Sequence, residues 1–519
     1  MPADKDPAPL IGSIDEGTSS TRFSVFSMRT SRMVAVHQIA ISKICPKEGW
    51  VEQDPVLILE AVKDTMEEVA KLVGNRGFSI SNIKAVGITN QRETTVAWDS
   101  QTGKPLHNAI VWLDMRTTST LEMLLEKVPN KNKNVHQKVC GLPLSPYFSA
   151  LKMKWLLDNV EEVRNALNQG RLMMGTIDTW LIWNLTGGPN GGLYMTDVTN
   201  ASRTMLMNLD TLSWDNNLCK FFEIPIEILP EIRSSSEIYA KISHGSIAGI
   251  PIAGCVGDQQ SALLGQVCLK KGQAKSTYGT GCFLLYNTGN RKAISKAGLL
   301  TTIAFQLGKK AKPVYALEGS VAVAGAAMAW LKDNIGLVDE VKNIETMAMS
   351  VHHSGDVYFV PAFSGLYAPY WQSDARGVIC GITEETQRSH ILRAAMEAIC
   401  FQTRDILEAM HKDTGLPLSE LWVDGGMIKN NLLMQLQADL CGVPVVRPHM
   451  AETTSLGAAI AAGLAEGVGA LDIEHLSPGP NDVFNPKITE KERNDRYSKW
   501  KMAVERSFGW DITGNDITS

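Results

Sequence analysis

Ile14-Asp15-Glu16-Gly17-Thr18-Ser19-Ser20-Thr21-Arg22 runs into the strand-like Phe23-Ser24-Val25-Phe26. In the other half, Ser276-Thr277-Tyr278-Gly279-Thr280-Gly281-Cys282 runs into Phe283-Leu284-Leu285-Tyr286. Each stretch is a β-run, a Gly-Thr turn rich in hydroxyls and a second β-run, which predicts two hairpins. A turn of this kind leaves backbone N–H groups unpaired and sterically open, so it can cradle phosphate oxygens. One alone reads as a plain turn. Two, one in each half and in matching context, predict a duplicated fold with a nucleotide held between the halves.

Working outward, 519 residues exceed what one core can serve, and two large domains are expected. A hydrophobic fraction of 44% with 20% charged residues describes an ordinary globular chain. A net charge of −5 supplies no electrostatic reason to bind nucleic acid or an anionic membrane. The polar start, Met1 to Pro7, has no apolar core of a secretory signal. No apolar run approaches the roughly 20 residues that span a bilayer, so no integral membrane segment is expected. The Ala/Gly-rich Leu456–Leu464 stretch is too short and predicts a tightly packed helix. Nine scattered cysteines without CxxC spacing predict reduced thiols in a cytoplasmic setting. Asn184-Leu185-Thr186 and Asn200-Ala201-Ser202 match the glycosylation pattern and, without a signal peptide, read as chance.

Strand and helix patterns alternate. Strands are expected over 84–89, 109–112 and 421–424, and helices over 60–73 and 431–440. Such alternation implies α/β sheets covered by helices. The domain boundary is placed near residue 260, giving domains 1–260 and 261–519 that share a cleft. Pro251 to Gln260 is an apolar strand ending in Asp258 and two amides. A carboxylate there can accept a proton from a substrate hydroxyl, and it can equally cap the helix that follows. Asn90-Gln91-Arg92-Glu93-Thr94-Thr95 is a polar cluster at another strand end, which either faces a ligand crevice or forms a solvated loop. No GxxxxGK[ST] loop, Rossmann glycine fingerprint, HExxH or Cys/His cluster occurs, which excludes P-loop, dinucleotide and zinc chemistry of those kinds.

Asp15-Glu16-Gly17-Thr18 with Arg22, the second Gly-Thr hairpin and Asp424-Gly425-Gly426 resemble the nucleotide core of the actin/hexokinase-like superfamily. Within it, Tyr147 to Asn159, Gly377 to Ile382 and His390 to Glu397 resemble the FGGY carbohydrate kinases, over nearly the whole chain. The finer match is to the glycerol kinase branch. It rests on five blocks in order: Asn90 to Thr95, Ser145 to Ser149, Gly257 to Gln260, Tyr278 to Phe283 and Phe363 to Trp371. The resemblance implies an α/β fold of two duplicated ribonuclease H-like domains flanking a nucleotide cleft. It implies transfer of the γ-phosphoryl of ATP to glycerol with Mg²⁺, and a homodimer or larger assembly.

Carried over, the resemblance assigns Arg92, Glu93, Tyr147, Asp258 and Gln259 to the glycerol hydroxyls, and Trp112 and Phe283 to its carbon backbone. Each aromatic taken alone reads as core. Asp258 is the expected general base, and Asp15 with Asp258 the expected Mg²⁺ ligands. Gly17, Thr18, Ser19, Ser20 and Arg22 are expected around the γ-phosphate, Gly279 and Thr280 on the β-phosphate side, and Gly325, Gly426 and Asn430 around adenine and ribose. Gly426 is also a plausible turn residue. Other readings are a kinase of another sugar or polyol, and a silent nucleotide-binding scaffold, which intact Asp15, Arg92, Glu93 and Asp258 argue against.

Three departures matter, one of them Ala329 on the adenine side, where some relatives place a longer polar side chain. Glu16 stands where many bacterial relatives carry glutamine. The loop His244 to Gly249 lacks the arginine that bacterial members use for fructose-1,6-bisphosphate, so no inhibition through it is expected. Trp112-Leu113-Asp114-Met115-Arg116 resembles animal forms, and the polar ending Gly509 to Asp516 lacks a hydrophobic membrane-docking tail.

Overall fold

The computed structural model describes residues 9–321, 323–363, 365–372 and 374–510. The N-terminal stretch to Pro7 and the ending beyond Trp510 therefore lie outside the described residues. The chain builds the same sheet twice. In the first half, β1 (Leu10–Glu16), β2 (Ser20–Ser27), β3 (Arg32–Ala40), β4 (Ile83–Asn90), β5 (Ser236–Lys241) and β6 (Pro251–Gly257) stand in the order β5-β6-β4-β1-β2-β3. Strand β1 is antiparallel to β2 and parallel to β4, and β4 is parallel to β6. Every residue of β1 is buried, as expected of a strand covered on both faces. Helix α1 (Pro55–Asn75) packs on β2 and β3, with proline at its first position and Asp54 accepting the Val56 N–H at 2.8 Å. Helix α2 (Asp258–Gly265) follows β6 directly.

The second half repeats this plan. Strands β7 (Ala274–Tyr278), β8 (Cys282–Gly289), β9 (Leu300–Phe305), β10 (Val314–Val321), β11 (Leu421–Asp424), β12 (Val445–Pro448) and β13 (Asn481–Phe484) run β9-β10-β8-β7-β11-β12-β13. Strand β7 is antiparallel to β8 and parallel to β11, and β11 is parallel to β12. Polarity and order thus match the first sheet strand for strand, with β9 added. Helices α3 (Gly325–Asp333), α4 (Arg388–Thr414), α5 (Asn431–Cys441) and α6 (Thr453–Leu464) belong to this half in sequence.

Helix α6 does not stay with its own half. It lies on β1, β4 and β6 of the first sheet and crosses α2, while α2 reaches β7, β8 and β9 of the second. Glycines allow the approach. A Cβ on Gly457 would sit 1.8 Å from the Ser261 carbonyl oxygen, one on Gly265 1.9 Å from that of Thr453, and one on Gly87 2.0 Å from that of Ala458. Backbone rests on backbone at each point, so no side chain can yield. Gly457→Val is expected to destabilise by at least the upper part of the ~1–3 kcal/mol of ordinary overpacking. Gly479→Ala, where a Cβ meets nothing within 4 Å, should change little. Urea midpoints of the two variants check this, and equal midpoints would refute the close-approach account.

The expected strand over 109–112 is shorter, Ala109–Ile110, and releases Trp112 into the cleft. All nine cysteines are free. Asn200 is buried and bonded to Asn90 and Asp197, so it is no glycan acceptor in the folded chain. Among the described residues no helix is long and apolar enough to cross a membrane.

Candidate active site

Both hairpin tips open on the cleft between the sheets. In the first, Asp15 pairs with Arg22 across the ladder and Gly17 N–H closes the turn on the Ser20 carbonyl at 2.9 Å. Apart from that carbonyl, a Cβ on Gly17 would meet nothing within 4 Å. Ser19 is exposed at the tip and Ser20 opens β2. Thr18 Oγ1 accepts from the Trp112 indole at 2.9 Å, tying the tip to the aromatic wall. Arg22 pairs with Glu452, just before α6, and lies 3.8 Å from Asp15, whose other partner is the Ser455 hydroxyl at 2.8 Å.

In the second hairpin, the Gly279 and Thr280 carbonyls accept from the N–H groups of Gly325, Ala324 and Ala326 at 2.9–3.0 Å, so the start of α3 is fastened to the tip. A Cβ on Gly325 would meet the Gly279 oxygen at 2.6 Å and the Met427 sulfur at 3.3 Å. Gly279, Thr280, Gly325 and the turn at Gly426 therefore converge. Gly426 is exposed with open space around it, and Asn430 caps α5 by accepting the Leu433 N–H at 2.8 Å. Gly426 opens the short turn Gly426–Lys429, as its reading as a turn residue expects.

The three aromatics expected around glycerol come together, with Trp112 edge-on to Tyr147 at 5.6 Å and to Phe283 at 6.0 Å. All three are half-buried rather than sealed in a core. Lys152, itself buried, donates to the carbonyls of Pro146 at 3.0 Å and Tyr147 at 2.5 Å and so holds the Tyr147 loop. Burial lowers its ammonium to about 7.

The polar side is a chain of alternating charges. Glu93 accepts from Arg203 at 2.5 Å, and Arg203 reaches Glu318 at 3.3 Å. Glu318 grips Arg92 with both oxygens, at 2.6 and 2.9 Å, and Arg92 Nε lies 3.2 Å from Asp258. Arg92, Glu93, Arg203 and Glu318 are buried, whereas Asp258 keeps 30% of its side chain open, which makes it the accessible end of the chain. Burial raises the Asp258 carboxyl above the usual range, opposed by Arg92 and Lys275. Glu318 falls to about 2, because the two guanidiniums outweigh the burial that disfavours its charge. Glu93 holds a left-handed backbone, φ 60°, a strain that a side chain fixed by Arg203 can sustain.

Asp258 is the first residue of α2 and Gly257 the cap, yet Asp258 still accepts the Gln259 N–H at 2.7 Å. Gln259 in turn presents its carbonyl to Lys275 Nζ. An ammonium only donates, so the Gln259 NH₂ is left to face away from Lys275. Burial lowers Lys275 to about 8.

Glu16 is fully buried against Gln91 Nε2 at 3.2 and 3.3 Å. Burial first, then the nearby Asp15 and Asp258, push its carboxyl well up, opposed by the Gln91 hydrogen bond. Its neutral form has the shape of a glutamine. This crowding of Asp15, Glu16 and Asp258 is also what a divalent cation would relieve, and hard carboxylate oxygens suit Mg²⁺.

A model of the N-terminal domain of the FGGY family of carbohydrate kinases matches residues 10–265, and one of the C-terminal domain matches 274–466. The chain belongs to that family. A probable glycerol kinase from Dictyostelium discoideum is 50% identical over 98% of this chain and 100% of its own. A glycerol kinase from Arabidopsis thaliana is 52% identical, covering 96% and 98%. Among solved structures, Plasmodium falciparum glycerol kinase with ADP superposes with a TM-score of 0.89 at 41% identity, over 96% of this chain and 98% of that one. Gluconate kinase from Lactobacillus acidophilus, TM-score 0.80 at 22% identity over 96% and 97%, shares the fold.

Residue reading on this FGGY chain missed Arg203, Glu318 and Lys275. The last two carried a signal: a charge inside the apolar strands Ala316-Leu317-Glu318-Gly319 and Ala274-Lys275-Ser276. A charge buried in a strand needs a partner: Glu318 finds its two in the other half, while Lys275 meets Gln259 there and Thr277 on its own strand.

The loop His244 to Gly249 is already occupied by a carboxylate. Glu67 accepts the Ser246 N–H at 2.7 Å and its hydroxyl as well. With no arginine in the loop and with Glu67 in place, millimolar fructose-1,6-bisphosphate is expected to leave turnover unchanged. Inhibition relieved by substitutions in the loop would contradict this.

Proposed function

We propose that this protein transfers the γ-phosphoryl group of ATP to glycerol, giving sn-glycerol 3-phosphate and ADP. The observation that carries the reading is Asp258, the one open carboxylate of a buried charge chain that joins the two halves. Glycerol offers three hydroxyls and a short carbon chain, and the pocket offers Arg92, Glu93, Tyr147, Asp258 and Gln259 beside Trp112 and Phe283. A site built to pair hydroxyls rejects analogues that lack them, because its own polar groups would go unpaired.

Asp258 accepts the proton of the terminal hydroxyl as that oxygen bonds to the γ-phosphorus. The bond to the β–γ bridging oxygen breaks and ADP leaves. Gly17, Thr18, Ser19, Ser20 and Arg22 face the γ-phosphate, and Gly279 and Thr280 the β-phosphate side. Gly325, Gly426 and Asn430 receive the adenosine. Arg22 pairs with Glu452, so a phosphate would compete with that carboxylate for it. Asp15 and Asp258 would hold Mg²⁺, which when bound neutralises phosphate charge. Alignment and charge neutralisation supply the rest of the acceleration. The reading includes a cytoplasmic enzyme acting as a homodimer or larger assembly, which sizing in solution checks.

The test is ADP release by purified protein with MgATP, glycerol being compared with a panel of sugars and polyols. Glycerol should give the highest kcat/KM by a wide margin. Preference for another polyol would overturn the substrate, and no turnover on any would overturn the enzyme.

A further inference from the structure

Glu318 lies on β10 in the second half, yet its partners Arg92 and Arg203 both come from the first. It is completely buried and is the described carboxylate that both guanidiniums share. Its grip also decides how Arg92 is spent. Nη1 donates to Glu318 Oε2 at 2.6 Å and to Gln260 Oε1 at 3.2 Å, Nη2 donates to Glu318 Oε1 at 2.9 Å, and Nε faces Asp258 at 3.2 Å. A guanidinium has five N–H groups in a rigid fork, so Nη2 keeps one more to offer. The bidentate carboxylate sets the plane of the fork and therefore where that last N–H points. Arg203, the other partner of Glu318, orients Glu93. One carboxylate from the far half thus orients both Arg92 and Glu93.

We infer that Glu318 is a positioning residue: it presents Arg92 and, through Arg203, Glu93 to the substrate hydroxyls, and it makes the polyol pocket complete only when the two halves are docked. Without it, two buried guanidiniums face one another with no shared counter-ion, and Asp258 and Gln260 alone remain to orient the Arg92 fork. The inference rests on the proposed phosphorylation of a polyol. It adds that affinity for the polyol is set by a residue of the opposite half that does not touch it. The cost of holding the pocket is met when the halves close, so binding energy is not drawn on to order the fork.

Two variants test it. Glu318→Gln removes the charge, and Glu318→Asp keeps the charge while drawing the oxygens back by one methylene, so that folding is preserved. Steady-state constants are measured for the polyol and for ATP, with melting temperatures alongside. The comparison uses whichever polyol the unmodified enzyme turns over fastest, so that failure of glycerol would sink the substrate reading and leave this test intact. The expected result for Glu318→Asp is a rise in KM for the polyol on the order of 10-fold or more, with KM for ATP within about 2-fold and a near-native melting temperature. Unchanged polyol KM in the folded Asp variant would overturn the inference. So would equal rises in both KM values that follow the loss of melting temperature, since a merely structural role predicts that pattern.

Discussion

Asp258→Asn is expected to lower kcat by about 10²–10⁴, the usual effect of removing a positioned base, while leaving the protein folded. The two halves of that expectation come from different facts. Asparagine keeps the volume and can still accept the Gln259 N–H that Asp258 accepts at 2.7 Å. It has no basic oxygen for the hydroxyl proton, so the chemical step loses its acceptor. Stability follows the sign of the shift. Burial raises the Asp258 carboxyl, the first cause, and Arg92 and Lys275 oppose it. A carboxyl raised on folding favours its neutral form, and whatever stability that form contributes is present at low pH and lost as pH rises through the folded value. A permanently neutral asparagine therefore costs no folding energy at pH 7 through this route. Activity retained within about 3-fold in the variant would remove Asp258 from the mechanism.

Arg92→Met is expected to damage both binding and folding. The side chain is buried and engages Glu318, Gln260 and Asp258. Its loss leaves Glu318 with Arg203 alone, and breaking a buried pair by removing one partner costs about 3–5 kcal/mol. A hydrogen bond from a charged donor contributes about 1.5–3 kcal/mol, so KM for glycerol should rise about 10- to 150-fold in whatever fraction folds. Denaturant titration and steady-state kinetics read the two effects separately. A variant with native stability and native KM would show that the charge chain neither holds the fold nor serves the pocket.

These expectations also mark how far residue reading could go. The two Gly-Thr hairpins were legible because a hairpin is a local object: hydroxyls and glycine between β-runs leave few alternatives. The same holds for the strand Leu421–Asp424 and for the helix over 431–441, expected at 431–440, where periodicity and a capping Asn430 act within a few residues. Asp258 was legible as a strand-end carboxylate, although its competing role as a cap stayed open until α2 was seen to start on it. Trp112 was expected inside a strand and instead lies beyond its end, where its indole donates to Thr18 Oγ1 at the tip of the first hairpin.

What the chain determined by itself is therefore local and repeated: hairpins, alternating strands and helices, and polar residues at strand ends. What only the tertiary structure decided is which residues from distant positions become partners. Helix α6 docks on the other half's sheet because glycines at 87, 265 and 457 let backbones touch, and no single glycine announces its counterpart. Glu318 meets Arg92 and Arg203 across 226 and 115 residues. Burying a charge in a strand demands an opposite charge, but sequence spacing does not say where it comes from. Closing the two halves on each other does.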